Sequence, residues 1–381
     1  MSFELSAEQE AIRGAVREFA EAEIEPVARE HDERGEYPEG LRRKAAELDL
    51  VAPHVPVEYG GAGMDMLSRC IVTEELWRGD PGIGSAIGSA GFGTSMLLEY
   101  GDEWMKEEWL PRITAGDSVS CSCISEPAHG SNVAGMETHA ERDGDGYVLN
   151  GNKMWITNGT VADIAVVMAK TDPAAEPAHK GITAFLVPTD REGFRTTEID
   201  NKLGIHASDL AEVVIDDVRV PEENVIGEPN EGFYQLMDFF ASGRTSVAAQ
   251  AVGAAQGALD AAVEYANERE QFGQKIGEFQ AIEHKVAEMA TSVEAARSLT
   301  YRAASHVEGE TDDTAVKLAS MAKLFASEHA VDVADESVQV HGGAGYVTDH
   351  PAERYYRDAR ITKIYEGTSE IQKNIISDRV L

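Results

Sequence analysis

Towards the C-terminus, Ile364-Tyr365-Glu366-Gly367-Thr368-Ser369-Glu370 sets a carboxylate between an aromatic residue and a glycine. Ser369 with Gln372 fits a capping box, so a helix is expected to begin there, with Glu366 on the irregular turn in front of it. A carboxylate in that setting can be aimed into a cleft and partly desolvated. Those are the requirements for a base that removes a weakly acidic C–H proton. The same residues also fit an ordinary solvated turn, so the decision falls to the rest of the chain.

Two further stretches carry chemistry. One is Cys123-Ile124-Ser125-Glu126-Pro127-Ala128-His129-Gly130-Ser131-Asn132, the other Lys153-Met154-Trp155-Ile156-Thr157-Asn158-Gly159. On a strand, Trp155 and Thr157 point to one face. An indole plane beside a hydroxyl suits a flat heteroaromatic ligand, although a tryptophan on a strand also serves as core. Nucleotide loops of other kinds are absent. Gly82-Ile83-Gly84 and Gly91-Phe92-Gly93 lack the third glycine of a dinucleotide fingerprint and follow no strand, and there is no P-loop. The eleven histidines are scattered and no HExxH occurs, which argues against a metal site.

The elements that must position these residues follow from the hydrophobic periodicity. Residues 1–119 read as helical. Glu8 to Arg29 places Ile12, Val16, Phe19 and Ala20 on one face behind a cap at Ser6, and Leu41 to Leu50 and Leu67 to Arg78 read as further helices. Pro53 to Gly63 between them reads as a loop. Residues 120–229 read as all-β. Short strands are expected at Tyr147–Leu149, Lys153–Thr157, Ile164–Met168, Thr183–Val187 and Ala211–Ile215, with turns at Asp145-Gly146, Asn150-Gly151 and Asn158-Gly159. Residues 230–381 are helical again, in Ala-rich runs over Gly232–Arg269, Phe279–Val307 and Thr314–Val340 that suit close packing in a bundle. The expected class is α+β: an N-terminal helical domain, a middle β-barrel or sandwich, and a C-terminal four-helix bundle.

Composition narrows the partners. Among 381 residues, 68 are acidic and 33 are Lys or Arg, a formal charge of −35. Such a surface repels nucleic acid and anionic membranes, and the acids are spread along the chain and form no tail. A high-salt cytoplasm is the expected setting. Met1-Ser2-Phe3-Glu4-Leu5 does not resemble a signal peptide, and no apolar run is long enough to span a bilayer. Cys70, Cys121 and Cys123 are expected to be reduced thiols.

Five ordered motifs together resemble the acyl-CoA dehydrogenase family over nearly the whole chain. Ser125-Glu126-Pro127-Ala128-His129-Gly130-Ser131-Asn132 is similar to T-E-P-x-x-G-S-D, with Ser for Thr and Asn for Asp, both still able to hydrogen-bond. Trp155-Ile156-Thr157-Asn158 is similar to W-I-T-N, and Arg269-Glu270-Gln271-Phe272-Gly273 to E-R-x-x-F-G. Gly342-Gly343-Ala344-Gly345-Tyr346 is similar to G-G-x-G-Y, and Arg357-Asp358-Ala359-Arg360 with Tyr365-Glu366-Gly367-Thr368 to R-D-A-R…Y-E-G-T.

The resemblance implies FAD as cofactor and an acyl-CoA thioester as substrate. Trp155 would lie against the isoalloxazine, Thr157 near N5, and the backbone around Cys123, Ser125 and Gly130 along the ring. Ser131 would sit where flavin and acyl-CoA meet. Arg269 and Phe272 would hold the diphosphate across a subunit interface, facing Gln339, His341, Gly342 and Gly343 of the neighbouring subunit in a homotetramer of two dimers. Gln280, Thr368 and Glu370 complete the implied flavin contacts; Gly243, Arg244 and Gly367 the substrate contacts. Family members place the base either in Y-E-G-T or just before an arginine on the first long C-terminal helix. Here the second position is Gly243, before Arg244, so Glu366 is the implied base. It would take the α-proton while the β-hydrogen leaves as hydride to flavin N5, giving a 2-enoyl-CoA. Electrons would pass to an electron-transfer flavoprotein. An acyl-CoA oxidase on the same scaffold and a silent acyl-CoA-binding protein are the alternatives; a nitroalkane oxidase would carry Asp at the base position. Glutaryl-type members carry an arginine near the position of Gly84, and its absence implies an uncharged acyl group.

The charge yields a first prediction. The Debye length falls from roughly 30 Å at 0.01 M salt to roughly 3 Å at 1 M, so only concentrated salt screens repulsion across a whole domain. The thermal midpoint and flavin retention are expected to rise from roughly 0.05 to 3 M KCl, a range that spans those screening lengths. A midpoint that is flat or falling would show that the acidic surface is no adaptation to salt.

Overall fold

A computed structural model describes residues 5–307 and 312–381. The stretch Met1–Glu4, which argues against a signal peptide, lies outside the described residues. The first third is helical: α1 (Ala7–Phe19), α2 (Ala28–Arg34), α3 (Glu39–Ala46), α4 (Met66–Gly79), α5 (Pro81–Gly88), α6 (Thr94–Tyr100) and α7 (Glu103–Thr114). Ser6 caps α1 in a full capping box with Gln9. The single helix expected over Glu8–Arg29 is broken. Pro26, which has no N–H to give, sits in a 3-10 turn (Glu25–Val27) preceded by a π-helical turn (Ala20–Ile24). The glycine pairs that fail the dinucleotide fingerprint lie in or beside helices. Gly82 and Gly84 are in α5, where a Cβ on Gly84 would stand 2.9 Å from the Leu76 carbonyl of α4. Gly93 starts α6 at φ 103°.

The middle region is one eight-stranded sheet with β1 (Ser120–Cys123), β2 (His139–Asp143), β3 (Gly146–Thr157), β4 (Ile164–Lys170), β5 (Ile182–Pro188), β6 (Phe194–Glu198), β7 (Leu210–Pro221) and β8 (Val225–Ile226). The order is β6-β7-β3-β2-β4-β5-β8, with β1 parallel on β4. Tyr147–Leu149 and Lys153–Thr157, expected as two strands, are one strand. Asn150-Gly151 is an irregularity within it, because β3 keeps pairing with β7 on both sides. β4 and β5 read as unbroken apolar runs because both their faces are covered. Ile164, Val166, Met168, Ile182, Ala184 and Leu186 join the core of the N-terminal helices, which also takes in Leu236 and Phe239. Ala165, Val167, Phe185 and Val187 face a separate core on the other side.

The last third is built on α8 (Gly232–Glu268), α9 (Gln280–Val307) and α10 (Asp313–His341), with the short α11 (Ala352–Ala359) and α12 (Ser369–Ser377) against α10. The long helix packed along α8 beside these is α4, from the first third. Its contact with α8 is close. A Cβ on Gly253 would meet Trp77 Cβ at 2.7 Å, and one on Gly257 would meet the Arg78 carbonyl and Tyr355 Cζ at 2.5 Å. Buried carboxylates on α4 tie this seam to other helices: Glu75 to Arg17 at 2.7 Å and Glu74 to Arg297 at 2.8 Å.

Gly257→Ala tests whether the seam is rigid. Helix propensity alone favours alanine by about 1 kcal/mol. Overpacking against a backbone carbonyl that cannot swing away costs about 1–3 kcal/mol. The net effect is expected to be a lower thermal midpoint; a raised one would show that α4 and α8 can part freely.

Candidate active site

The turn carrying Glu366 is set by two successive left-handed residues, Glu366 at φ 51° and Gly367 at φ 88°. A non-glycine residue there is uncommon and needs outside support. Three side chains supply it. Gln372 Nε2 donates to the carbonyls of Glu366 (3.1 Å) and Gly367 (2.9 Å). Lys323 Nζ, from α10, donates to the Gly367 carbonyl at 2.8 Å. Tyr365 Oη donates to Gln250 on α8. The expected capping box is corrected by one residue. Thr368 is the N-cap and accepts from the Ile371 N–H, while the Ser369 hydroxyl donates to Glu328 at 2.6 Å. Gln372 is therefore turned back onto the turn and takes no part in a box.

α8 brings Gly243 against this turn. A Cβ at Gly243 would lie 2.9 Å from Glu366 Oε2, so the glycine makes the room that the carboxylate fills. Glu366 is part-exposed as a residue, yet its Oε2 is sealed from solvent and has no hydrogen-bond partner. Arg244 Nε, on the next residue of α8, is likewise buried and unpaired. The two act on each other electrostatically, yet neither atom has a hydrogen-bond partner among the described residues. Desolvation raises the Glu366 carboxyl to about 7, against the opposing pull of Arg244 and Lys323. Desolvation likewise brings Lys323 down to about 8, against the pull of Glu366 and Glu328. A carboxylate raised towards neutrality beside one unpaired buried donor, Arg244 Nε, is matched to proton abstraction.

A second face lies on β3. Trp155 is 59% exposed at φ 63°, where the β3–β7 register shifts, and Ile156 is buried between it and the half-buried Thr157. The indole is thus held outward, and the flanking Thr157 is part-exposed. The Ser125 carbonyl accepts from the Met154 N–H at 2.9 Å, which fixes the loop against this strand. Beneath it, Lys153 and Glu126 form a fully buried pair at 3.0 Å. Burial alone would raise Glu126; Lys153 and the backbone N–H groups of Glu137 and Thr138 outweigh it and bring the carboxyl to about 2. Gly130 and Ser131 are exposed on the same loop. Cys123 is a correction: wholly buried in the β1 core beside Val167, it presents no surface to a ligand.

A third cluster sits at the far end of α8. Arg269, Gln271, His341 and Gly343 line one cleft of about 680 Å³ with Tyr265 and His350. Arg269 and the Gln339–Gly343 loop therefore belong to the same side of one protomer, not to opposite sides of an interface. Gln339, Gly342 and Gly343 are exposed, whereas the His341 ring is buried, stacked on Tyr265 at 4.4 Å. Phe272 is 94% exposed at the tip of a short hairpin, and Gln280 is exposed at the start of α9. Glu370 is exposed on α12. Gly84 faces Leu76 and Trp77, so the lack of an arginine there says nothing about the acyl group.

The fold agrees with comparison to known proteins. Family models match three consecutive parts of the chain: acyl-CoA dehydrogenase N-terminal domain over residues 6–117, middle domain over 121–218 and C-terminal domain over 230–381. The chain belongs to the acyl-CoA dehydrogenase family, whose members are oxidoreductases. It is 43% identical to the short-chain specific acyl-CoA dehydrogenase of Rattus norvegicus mitochondria, across 100% of this chain and 92% of that protein. The butyryl-CoA dehydrogenase of Megasphaera elsdenii superposes with TM-score 0.94 at 37% identity, and full coverage of both chains. A chain from the structure described as the electron transferring flavoprotein of Acidaminococcus fermentans superposes with TM-score 0.95 at 41% identity, again covering both chains completely.

From the sequence Lys323 and Gln250 carry no role, and Gln372 only that of a helix cap. For Lys323 a signal exists: it interrupts the buried small-residue stripe Ala315, Ala319, Ala322, Ala326 and Ala330 with a charge. Gln250 leaves no such trace, and the spacing of Gln372 from Ser369 points to a cap instead.

Gly243→Ala tests the fit of the carboxylate. The atom displaced is the end of a flexible side chain, so helix propensity should dominate and stability should rise by up to about 1 kcal/mol. The base moves by tenths of an ångström, and flavin reduction by acyl-CoA is expected to slow about tenfold. Unchanged reduction would show that the carboxylate does not work from this position.

Proposed function

We propose that this chain catalyses FAD-dependent α,β-dehydrogenation of a short acyl-CoA thioester to the 2-enoyl-CoA. The observation that carries the reading is the desolvated, unpaired Glu366 carboxylate seated in the space left by Gly243. The names of the rat and Megasphaera relatives support a short acyl chain.

The chain's residues divide the work. Glu366 takes the α-proton, its pKa raised by burial so that the neutral acid is not formed at too high a cost. Arg244 and Lys323 place positive charge beside the carboxylate as it approaches the substrate. The Glu366 backbone N–H is the proposed donor to the thioester carbonyl, where enolate charge develops. Tyr365, anchored to Gln250, holds the turn at the correct height. The exposed Trp155 plane, Thr157 and the Ser125–Ser131 loop fit an isoalloxazine ring, with Thr368 and Glu370 at its rim. FAD, when bound there, supplies the acceptor for the β-hydride.

The diphosphate end requires a second copy. Arg244 and Arg269 stand at opposite parts of the continuous helix α8, about 37 Å apart at about 1.5 Å per residue. A flavin whose ring is within reach of Glu366 cannot extend its own diphosphate that far. Arg269, with the Gly342-Gly343 backbone beside it, is therefore proposed to serve the partner's flavin, in a homotetramer of two dimers. The guanidinium suits paired phosphate oxygens. An electron-transfer flavoprotein is the proposed acceptor, and a cytoplasm of high salt the proposed setting. Among the described residues no helix is long and apolar enough to cross a membrane.

Glu366→Gln tests the assignment. The amide is nearly isosteric and accepts no proton, so the variant is expected to retain flavin and bind acyl-CoA while anaerobic flavin bleaching slows by about 10² to 10⁴. Bleaching at the wild-type rate would move the base elsewhere, and oxygen consumption coupled to turnover would favour an oxidase.

A further inference from the structure

Lys323 is a lysine with no solvent exposure, in the middle of α10, among alanines and serines. A buried ammonium is costly and is retained only where something compensates it. Here the compensation comes from the active-site turn. Its Nζ donates to the Gly367 carbonyl, which also receives Gln372, so two donors from two helices converge on the carbonyl of the residue that follows Glu366. The charges around it come from every packed element. Glu328 lies on α10, bridged to Lys363 of the following 3-10 turn and accepting from Ser369. Arg244 comes from α8, with Arg379 of the C-terminal end acting on it in turn. Glu366 and Glu370 come from the turn and α12, and Lys373 of α12 acts on Glu328 and Glu370.

We propose that Lys323 is the positioning residue of the base: its buried ammonium clamps the Gly367 carbonyl and, with Arg244, supplies the positive field that keeps the Glu366 carboxylate ionised in a site closed to water. The inference rests on Glu366 being the base. Gln372 can hold the same carbonyl but carries no charge, so clamp and field can be separated by experiment. The sign is set by electrostatics. Removing a cation near a carboxylate favours its protonated form, so the pH below which the base is lost must rise.

The test is the pH dependence of anaerobic flavin reduction by acyl-CoA in the FAD-loaded enzyme, in concentrated KCl. Lys323→Gln keeps a donor and removes the charge. Its acid limb is expected to shift upward by about one pH unit, the lower end of the range for a neighbouring opposite charge, with activity recovered at higher pH. That is about a tenfold loss at a pH below both limbs. Gln372→Leu removes a neutral donor from the same carbonyl. It is expected to lower the rate at all pH values and leave the limb where it is, and it probes the clamp even if the lysine variant fails to fold. A limb unmoved in Lys323→Gln, or moved equally in Gln372→Leu, overturns the proposal. Failure of the underlying reading looks different: Glu366→Gln would then still reduce flavin.

Discussion

The site depends on a carboxylate held out of water beside cations that do not neutralise it. Withdrawing Glu366 Oε2 from solvent disfavours its charge, and Arg244 and Lys323 partly restore it. Had either cation closed to a direct ion pair, with backbone N–H groups completing the shell, the carboxyl would be driven far below neutrality, as happens to Glu126 beside Lys153. The contrast lies within one chain. Glu126 meets an ammonium and two backbone N–H groups and becomes structural; Glu366 keeps an orphan oxygen and remains a base.

Keeping that balance requires rigid supports on several sides. The turn conformation at Glu366 and Gly367 is strained, and donors from α10 and α12 hold it. α8 sets the depth of the pocket through Gly243, and α8 is itself seated on α4 by Gly253 and Gly257. At its N-terminal end α8 enters the core shared with β4 and β5. The sheet that presents Trp155 and the helix that presents Gly243 are thereby fixed to the same body of side chains. The length of α8 then places Arg269 about 37 Å from Arg244, at the C-terminal end of the same helix.

Much of this was legible in the residues. The apolar runs of β4 and β5, the Ala-rich helices and the Tyr365-Glu366-Gly367-Thr368 turn have local signatures, because periodicity and special backbone geometry are written locally. The division of Glu8–Arg29 at Pro26 was legible as well, yet the uninterrupted apolar face concealed it. Other features are not local. That Gly84 and Gly257 serve close packing depends on Leu76 and Arg78 in another helix. That Cys123 points into a core depends on which strand pairs with β1. Gln372 reads as half of a capping box until the carbonyls of Glu366 and Gly367 are seen to compete for its amide. Whether Arg269 and His341 face one another or lie side by side is likewise a tertiary fact.

The central claim is that the Glu366 carboxyl titrates near neutrality because of where it is held. Infrared spectroscopy with ¹³C-labelled glutamate, taken as the difference between the wild-type protein and Glu366→Gln, isolates that one carboxyl among the many on this acidic chain. The account predicts that its protonated band gives way to carboxylate at a pH of about 7. Conversion near the ordinary glutamate value of 4.5 would contradict it.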